Sequence, residues 1–150
     1  MIYHFSPDDE LSQGDIIRRV RVMIDVSKSE TSLPDYRESN IIVMTRNCEI
    51  SKPPNAATGT NAISVVRLIK LAAAPKGLQG DIRKNRVVSA FYLPGQEDLI
   101  EECYIDWRTV QPIDKSYLYA SRSQNYKCTV DREQFMACLD GYFIFLTKPD

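Results

Sequence analysis

Apolar and polar positions alternate early in the chain. Ile16, Val20, Val22, Ile24 and Val26 fall on one face and Arg19, Arg21 and Asp25 on the other, with an interruption at Arg18, as in a half-buried strand from Ile16 to Val26. A polar stretch follows from Ser27 to Ser39 and is expected to form a loop. Ile41 to Thr45 is then a continuous β-rich run, which predicts a central strand covered on both faces. The prolines and glycine of Ser51–Asn55 and Thr58–Asn61 predict a second loop, and Ile63 to Leu71 a third strand. Leu78 to Arg86 has the composition of a short helix.

Val87–Leu93 and Leu99–Asp106, separated by the five residues Pro94–Asp98, read as a hairpin, with Val110–Ile113 as a short final strand. Tyr3, His4 and Phe5 suggest an N-terminal strand or staple. Near the C-terminus Phe135, Cys138, Leu139, Tyr142, Phe143 and Leu146 recur at spacings of three and four. That period predicts an amphipathic helix from Asp131 to Leu146, capped by Thr129 or Asp131, with Phe135, Leu139, Tyr142 and Leu146 as its core stripe. Phe145 and Met136 fall off that stripe and mark a dimer or partner surface.

Composition narrows this picture. A chain of 150 residues with 43% hydrophobic residues suits a single domain, 1–150, with a barrel at about 14–113 and the helix at about 131–146. The formal charge of -1 exerts no global pull on nucleic acid or an anionic membrane. No apolar run approaches the ~20 residues that span a bilayer, and the start of the chain has no basic segment ahead of an apolar one, so a cytoplasmic location and no membrane partner are expected. Cys48, Cys103, Cys128 and Cys138 include no Cys-x-x-Cys pair, and His4 is the sole histidine. Neither a metal nor a cofactor is expected, and the cysteines are expected to be buried free thiols. A lone tryptophan, Trp107, is read as core, with Arg108 stacked on it as the competing reading.

Gln13-Gly14-Asp15-Ile16-Ile17, the apolar run Ile41–Thr45 and the late segment Ile105-Asp106-Trp107-Arg108-Thr109-Val110 together resemble the MazF/PemK (also CcdB-like) toxin superfamily. The likeness covers roughly Gln13 to Leu146. A closer likeness is to uncharacterised bacterial proteins with a Cys-Asp-Ile, Tyr-Leu-Pro and C-terminal aromatic pattern, matched here by Asn47-Cys48-Glu49-Ile50, Phe91-Tyr92-Leu93-Pro94 and Gly141-Tyr142-Phe143. The fold this implies is mainly β with α, a small SH3-like antiparallel β-barrel with a C-terminal amphipathic helix. The ribonucleases of that superfamily resemble one another in a loop arginine after the first strand, a hydroxyl ending the third and sometimes a histidine. Here only Arg37 is placed to serve as the loop arginine, and the third strand ends Leu68-Ile69-Lys70-Leu71-Ala72 without a hydroxyl.

Two groups of residues are candidates for chemistry. An antiparallel meander would put Asp15 beside Arg46, Asn47, Cys48 and Glu49, where an acid pair, a guanidinium and a thiol are the parts needed to position a proton or a phosphate. The plainer reading makes Asp15 a turn cap, Arg46 a partner of a carboxylate and Cys48 a core residue. From Arg67 through Arg86 six basic residues accompany the single acid Asp81, a run of +5 suited to phosphate contacts, with Phe91 and Tyr92 near enough to stack on bases. Glu97, Asp98, Glu101, Glu102 and Asp106 follow at once and offer that run internal partners. The resemblance implies a toxin-like or phage-defence protein of toxin–antitoxin type that binds RNA or another nucleic acid through Arg37, Arg67, Lys70, Arg83 and Lys84, without the usual ribonuclease residues. Its partners would be that nucleic acid, an antitoxin-like or defence-system protein and a second copy of the chain. The alternative is a non-catalytic protein-interaction module. No catalytic constellation stands out, so the sequence leaves enzymatic activity open.

Overall fold

The computed structural model describes residues 2–25, 35–51 and 60–148. They form seven strands, β1 (Tyr3–His4), β2 (Asp15–Asp25), β3 (Asp35–Val43), β4 (Ala62–Lys70), β5 (Ala90–Leu93), β6 (Cys103–Asp114) and β7 (Tyr126–Val130), and four helices. The helices are α1 (Asn47–Ile50), α2 (Lys76–Arg83), α3 (Lys115–Asn125) and α4 (Arg132–Thr147). All strands join one antiparallel sheet in the order β1-β7-β2-β3-β4-β6-β5, curled into a half-barrel, so the expected mainly β architecture with a C-terminal helix is present.

Two side chains complete the curl. The Gln111 carboxamide accepts from Met23 N and donates to Met23 O, both at 2.9 Å, which ties the far end of β2 to β6 although the two are not paired strands. Across the open side, Tyr3 on the edge strand β1 donates its hydroxyl to Pro94 O beside the other edge, at 2.6 Å. Both edge strands are short, which limits the unpaired backbone they present.

Side-chain alternation sends neighbouring residues to two separate cores. On β3, Ile42 joins Tyr3, Ile105, Trp107 and Val130 under α4, while Ile41 and Val43 join Val20, Ile63, Val65 and Leu118 under α3. The Ile41–Val43 end of β3 is therefore covered on both faces, as its continuous apolar run predicts, while Asp35–Glu38 are exposed. A smaller cluster of Leu71, Ala74, Ile82 and Ala90 lies beneath α2. Each fully buried Ile or Leu contributes roughly 1.5–3 kcal/mol by leaving water.

Several expectations are corrected. β2 does not keep one apolar face: Ile16 faces the α4 core and Ile17, Val20 and Val22 the other, because a bulge separates the pairs Ile17↔Ile41 and Val20↔Ser39. The expected second strand starts earlier, at Asp35, and Thr45 lies beyond it with its hydroxyl accepting from Ser64 N. Val26, most of the Ser27–Ser39 stretch and residues 52–59 lie outside the described residues. Residues 94–102, not 94–98, connect β5 to β6, and Val110–Ile113 continues β6 past a bulge. Neither α3 nor β7 was visible in the residue pattern: α3 is largely polar, with Leu118 its only buried apolar residue. Along α4, Phe135, Cys138, Leu139, Tyr142 and Phe145 pack inward, while Leu146, Phe143, Ile144 and Met136 are exposed; the inward step at position 145 moves Leu146 out of the stripe. Asp131 stands at the N-cap but gives its carboxylate to His4 Nδ1 at 2.6 Å.

Candidate anion-binding cavity

Asp15 is fully buried, and every hydrogen bond it makes is structural. Its Oδ1 accepts from Thr129 Oγ1 at 2.6 Å, and its Oδ2 from Arg122 Nε and Ser12 N, both at 2.8 Å. Arg122 also donates through Nη1 to Asp8 O at 2.8 Å and lies 4.1 Å from the centre of the Tyr126 ring. The cluster pins the N-terminal segment against β2, α3 and β7. Meander geometry does bring Gln13 to the end of β3, where its backbone N donates to Asn47 Oδ1 at 2.7 Å. Asp15 itself turns inward, and among the described residues no hydrogen bond or ion pair joins it to Arg46, Cys48 or Glu49. Arg46 instead pairs with Glu49 at 2.8 Å on the surface. Cys48 is exposed, contrary to the buried-thiol expectation, because short α1 turns only Ile50 into the core. The other three thiols are buried, which pushes Cys103 and Cys138 up to about 12 and Cys128 to about 11.

The basic run is neutralised in part, Lys70 and Arg83 by acids that follow it and Arg86 by Asp81 within it. Arg83 makes two hydrogen bonds of 3.1 Å to Glu102, which also accepts the Tyr92 hydroxyl at 2.6 Å; the guanidinium, then that hydroxyl, hold the Glu102 carboxyl down at about 2. Lys70 approaches Glu101 at 3.7 Å, Arg86 approaches Asp81 at 3.9 Å and Arg37, on β3 rather than in a loop, approaches Asp35 at 3.4 Å. Arg67 donates to Ser39 Oγ at 3.1 Å, and Arg108 pairs with Asp106 rather than stacking on buried Trp107. Of the residues expected to bind nucleic acid, only Lys84 has no partner among the described residues.

A different set of cations converges elsewhere. A cavity of about 290 Å³ opens at the curl of the sheet, lined by Ile16, Leu68, Leu99, Ile100 and Cys103, by Asn40, and by Arg18, Arg19, Lys70, Lys127 and Glu101. Four cations face one acid, and Arg18, Arg19 and Lys127 make no ion pair among the described residues. Two bulges build this arrangement. Consecutive strand residues normally face opposite sides, yet Arg18 and Arg19 both line the cavity because the β2 bulge holds Arg19 at φ 56°. On β7, Ile16 pairs with Cys128 but Ile17 pairs with Tyr126, so Lys127 is the extra residue and is aimed at the same space.

The lining is suited to holding an anion. Arg18, Arg19 and Lys70 are exposed and Lys127 is half-buried, so the attraction comes from four cations gathered around one concave space, which focuses their field, and it weakens as salt rises. The lining contains no histidine and no carboxylate pair, and the raised Cys103 thiol is protonated at neutral pH. Sequence reasoning missed Arg18, Arg19 and Lys127. The break in alternation at Arg18 was the available signal for the first two; Lys127 lies in a strand too short and mixed to announce itself. Comparison with models of known protein families and with curated proteins finds no match for this chain. No described helix is long and apolar enough to cross a membrane, and no described group of three or more His, Cys, Asp or Glu is arranged to hold a metal ion.

Proposed function

We propose that this chain is a nucleic-acid-binding protein of toxin-like or defence-associated kind, which holds RNA or a related polyanion at the mouth of its curled sheet without cleaving it. One observation carries the reading: Arg18, Arg19 and Lys127, aimed by two bulges, meet at one cavity with no carboxylate paired to them among the described residues. The likeness of Gln13–Ile17, Ile41–Thr45 and Ile105–Val110 to the MazF/PemK superfamily favours nucleic acid over other polyanions. The missing third-strand hydroxyl and the lack of an acid–base pair in the lining favour binding without cleavage. The binding set moves accordingly, from Arg37, Arg67, Arg83 and Lys84 to Arg18, Arg19 and Lys127, with Lys70 common to both.

Fluorescence anisotropy with a labelled single-stranded RNA tests this. Neutralising three or four phosphates gives a log–log salt slope of roughly -2 to -3. The triple variant Arg18→Ala/Arg19→Ala/Lys127→Ala is expected to lose most of the affinity and slope, and Arg83→Ala/Lys84→Ala to keep both. Equal binding by wild type and the triple variant sinks the assignment. A second reading, a protein-interaction module docking a second copy or an antitoxin-like protein, is favoured by exposed Met136, Phe143, Ile144 and Leu146 on α4. It requires a particle mass that rises with concentration and falls back in Ile144→Ser.

A further inference from the structure

We infer that the cavity holds a single nucleotide unit, base included, with Asn40 reading the edge of the base. The inference rests on the nucleic-acid reading and names the part of the ligand that enters. At about 290 Å³ the cavity lies at the small end of organic-ligand pockets, so it takes up one compact unit rather than a length of chain. Its chemistry is divided. Arg18, Arg19 and Lys127 form a cationic side suited to a phosphate dianion, while Lys70 is already engaged by Glu101 at 3.7 Å. Leu68 from β4 and Ile100 from the β5–β6 connection add apolar lining from two separate elements, against which a flat ring can pack.

Asn40 decides between a base and a plain hydrocarbon tail. It is half-buried on β3 opposite Leu68 in the register, and its carboxamide makes no hydrogen bond among the described residues, its backbone carbonyl alone accepting from Ser39 Oγ. A hydrocarbon tail packed there would leave that carboxamide unpaired in a desolvated site. A heteroaromatic base satisfies it, because a carboxamide presents one donor and one acceptor side by side, the pattern that pairs with a base edge. The phosphate can belong to a free nucleotide or to a strand.

Calorimetric titration of the intact protein with the four nucleoside 5′-monophosphates, ribose 5-phosphate and a short single-stranded RNA separates the outcomes. At least one nucleotide is expected to bind about tenfold more tightly than ribose 5-phosphate, which carries the charge without the base. Asn40→Ala is expected to bring the four bases within about twofold of one another and leave ribose 5-phosphate unchanged. Asn40→Asp, which keeps the shape and removes the donor, is expected to reorder the preference among bases. Ribose 5-phosphate binding as well as every nucleotide, or Asn40→Ala weakening all ligands equally, overturns the inference. RNA binding without any nucleotide binding also overturns it, while leaving the polyanion reading intact. Nucleotides binding while the oligomer does not would keep the nucleotide site and remove the RNA reading.

Discussion

Gly14 and Asp15 are adjacent and answer to different constraints. Gly14 has φ 89°, and a Cβ built on it would meet Val130 O at 3.0 Å, while its own N donates to Val43 O at 2.8 Å. Gly14→Ala is therefore expected to cost about 1–3 kcal/mol, read as a lower urea midpoint at unchanged slope. Asp15 depends on Arg122, from which it accepts a hydrogen bond at 2.8 Å in the interior. Removing one partner of a buried pair strands the other charge, so Arg122→Met is expected to lose about 3–5 kcal/mol. The double variant Asp15→Asn/Arg122→Met should recover part of that loss, and additive losses in the cycle would show that the pair is not coupled. Residue pattern alone identified the Gly-Asp pair and gave Asp15 the wrong neighbours. Its side-chain partners are Arg122, in a stretch where the residue pattern predicts no element, and Thr129, which that pattern offers only as a cap for the C-terminal helix.

At the scale of elements, what was legible follows burial periodicity. α4 and the Ile41–Val43 end of β3 show it because their inward positions are apolar, and β2 shows it on either side of its bulge, whereas the polar, largely exposed Asp35–Ser39 part of β3 reads as loop. α3 and β7 do not, because one buried leucine anchors the helix and the strand has five residues. The bulges that make the cavity are illegible for a related reason: a single inserted residue changes which face a side chain takes without changing composition. Internal pairing of the basic run with the acids that follow it is the competing reading of that run, and Arg83–Glu102 and Lys70–Glu101 are such pairs, the first joining α2 to the β5–β6 connection. The Arg83–Glu102 pair also has a pH signature. Glu102 is held at about 2, below its ordinary 4.5, so its contribution is present above about 4.5 and is lost as pH falls toward 2. Solvent exposure of the pair keeps that contribution small. Melting temperatures taken from pH 6 to pH 2 should fall less steeply in Glu102→Gln than in wild type; parallel curves would remove Glu102 as a source of the acid sensitivity.

For the whole molecule, the two large cores on opposite faces of one sheet raise the question of whether they open together. Cys103 on β6, Cys128 on β7 and Cys138 on α4 all belong to the core under α4, whereas Cys48 is exposed. Burial raises all three core thiols well above neutrality, to about 12, 11 and 12, so native-state alkylation should stop at one equivalent. Further labelling then measures opening. If α4 peeled away alone, Cys138 would react ahead of Cys103 and Cys128. The packing argues otherwise, since Tyr142 stacks on Trp107 at 4.8 Å and a Cβ on Gly141 would lie 2.8 Å from the Phe91 ring, leaving the helix no slack against β5 and β6. Helix and sheet are therefore expected to release together. Peptide-resolved mass spectrometry across a urea series should show Cys103, Cys128 and Cys138 sharing one opening free energy with one denaturant slope. A shallower slope and earlier labelling at Cys138 would instead make α4 a separately unfolding unit, and its exposed Phe143 and Ile144 would then belong to an element able to leave the core.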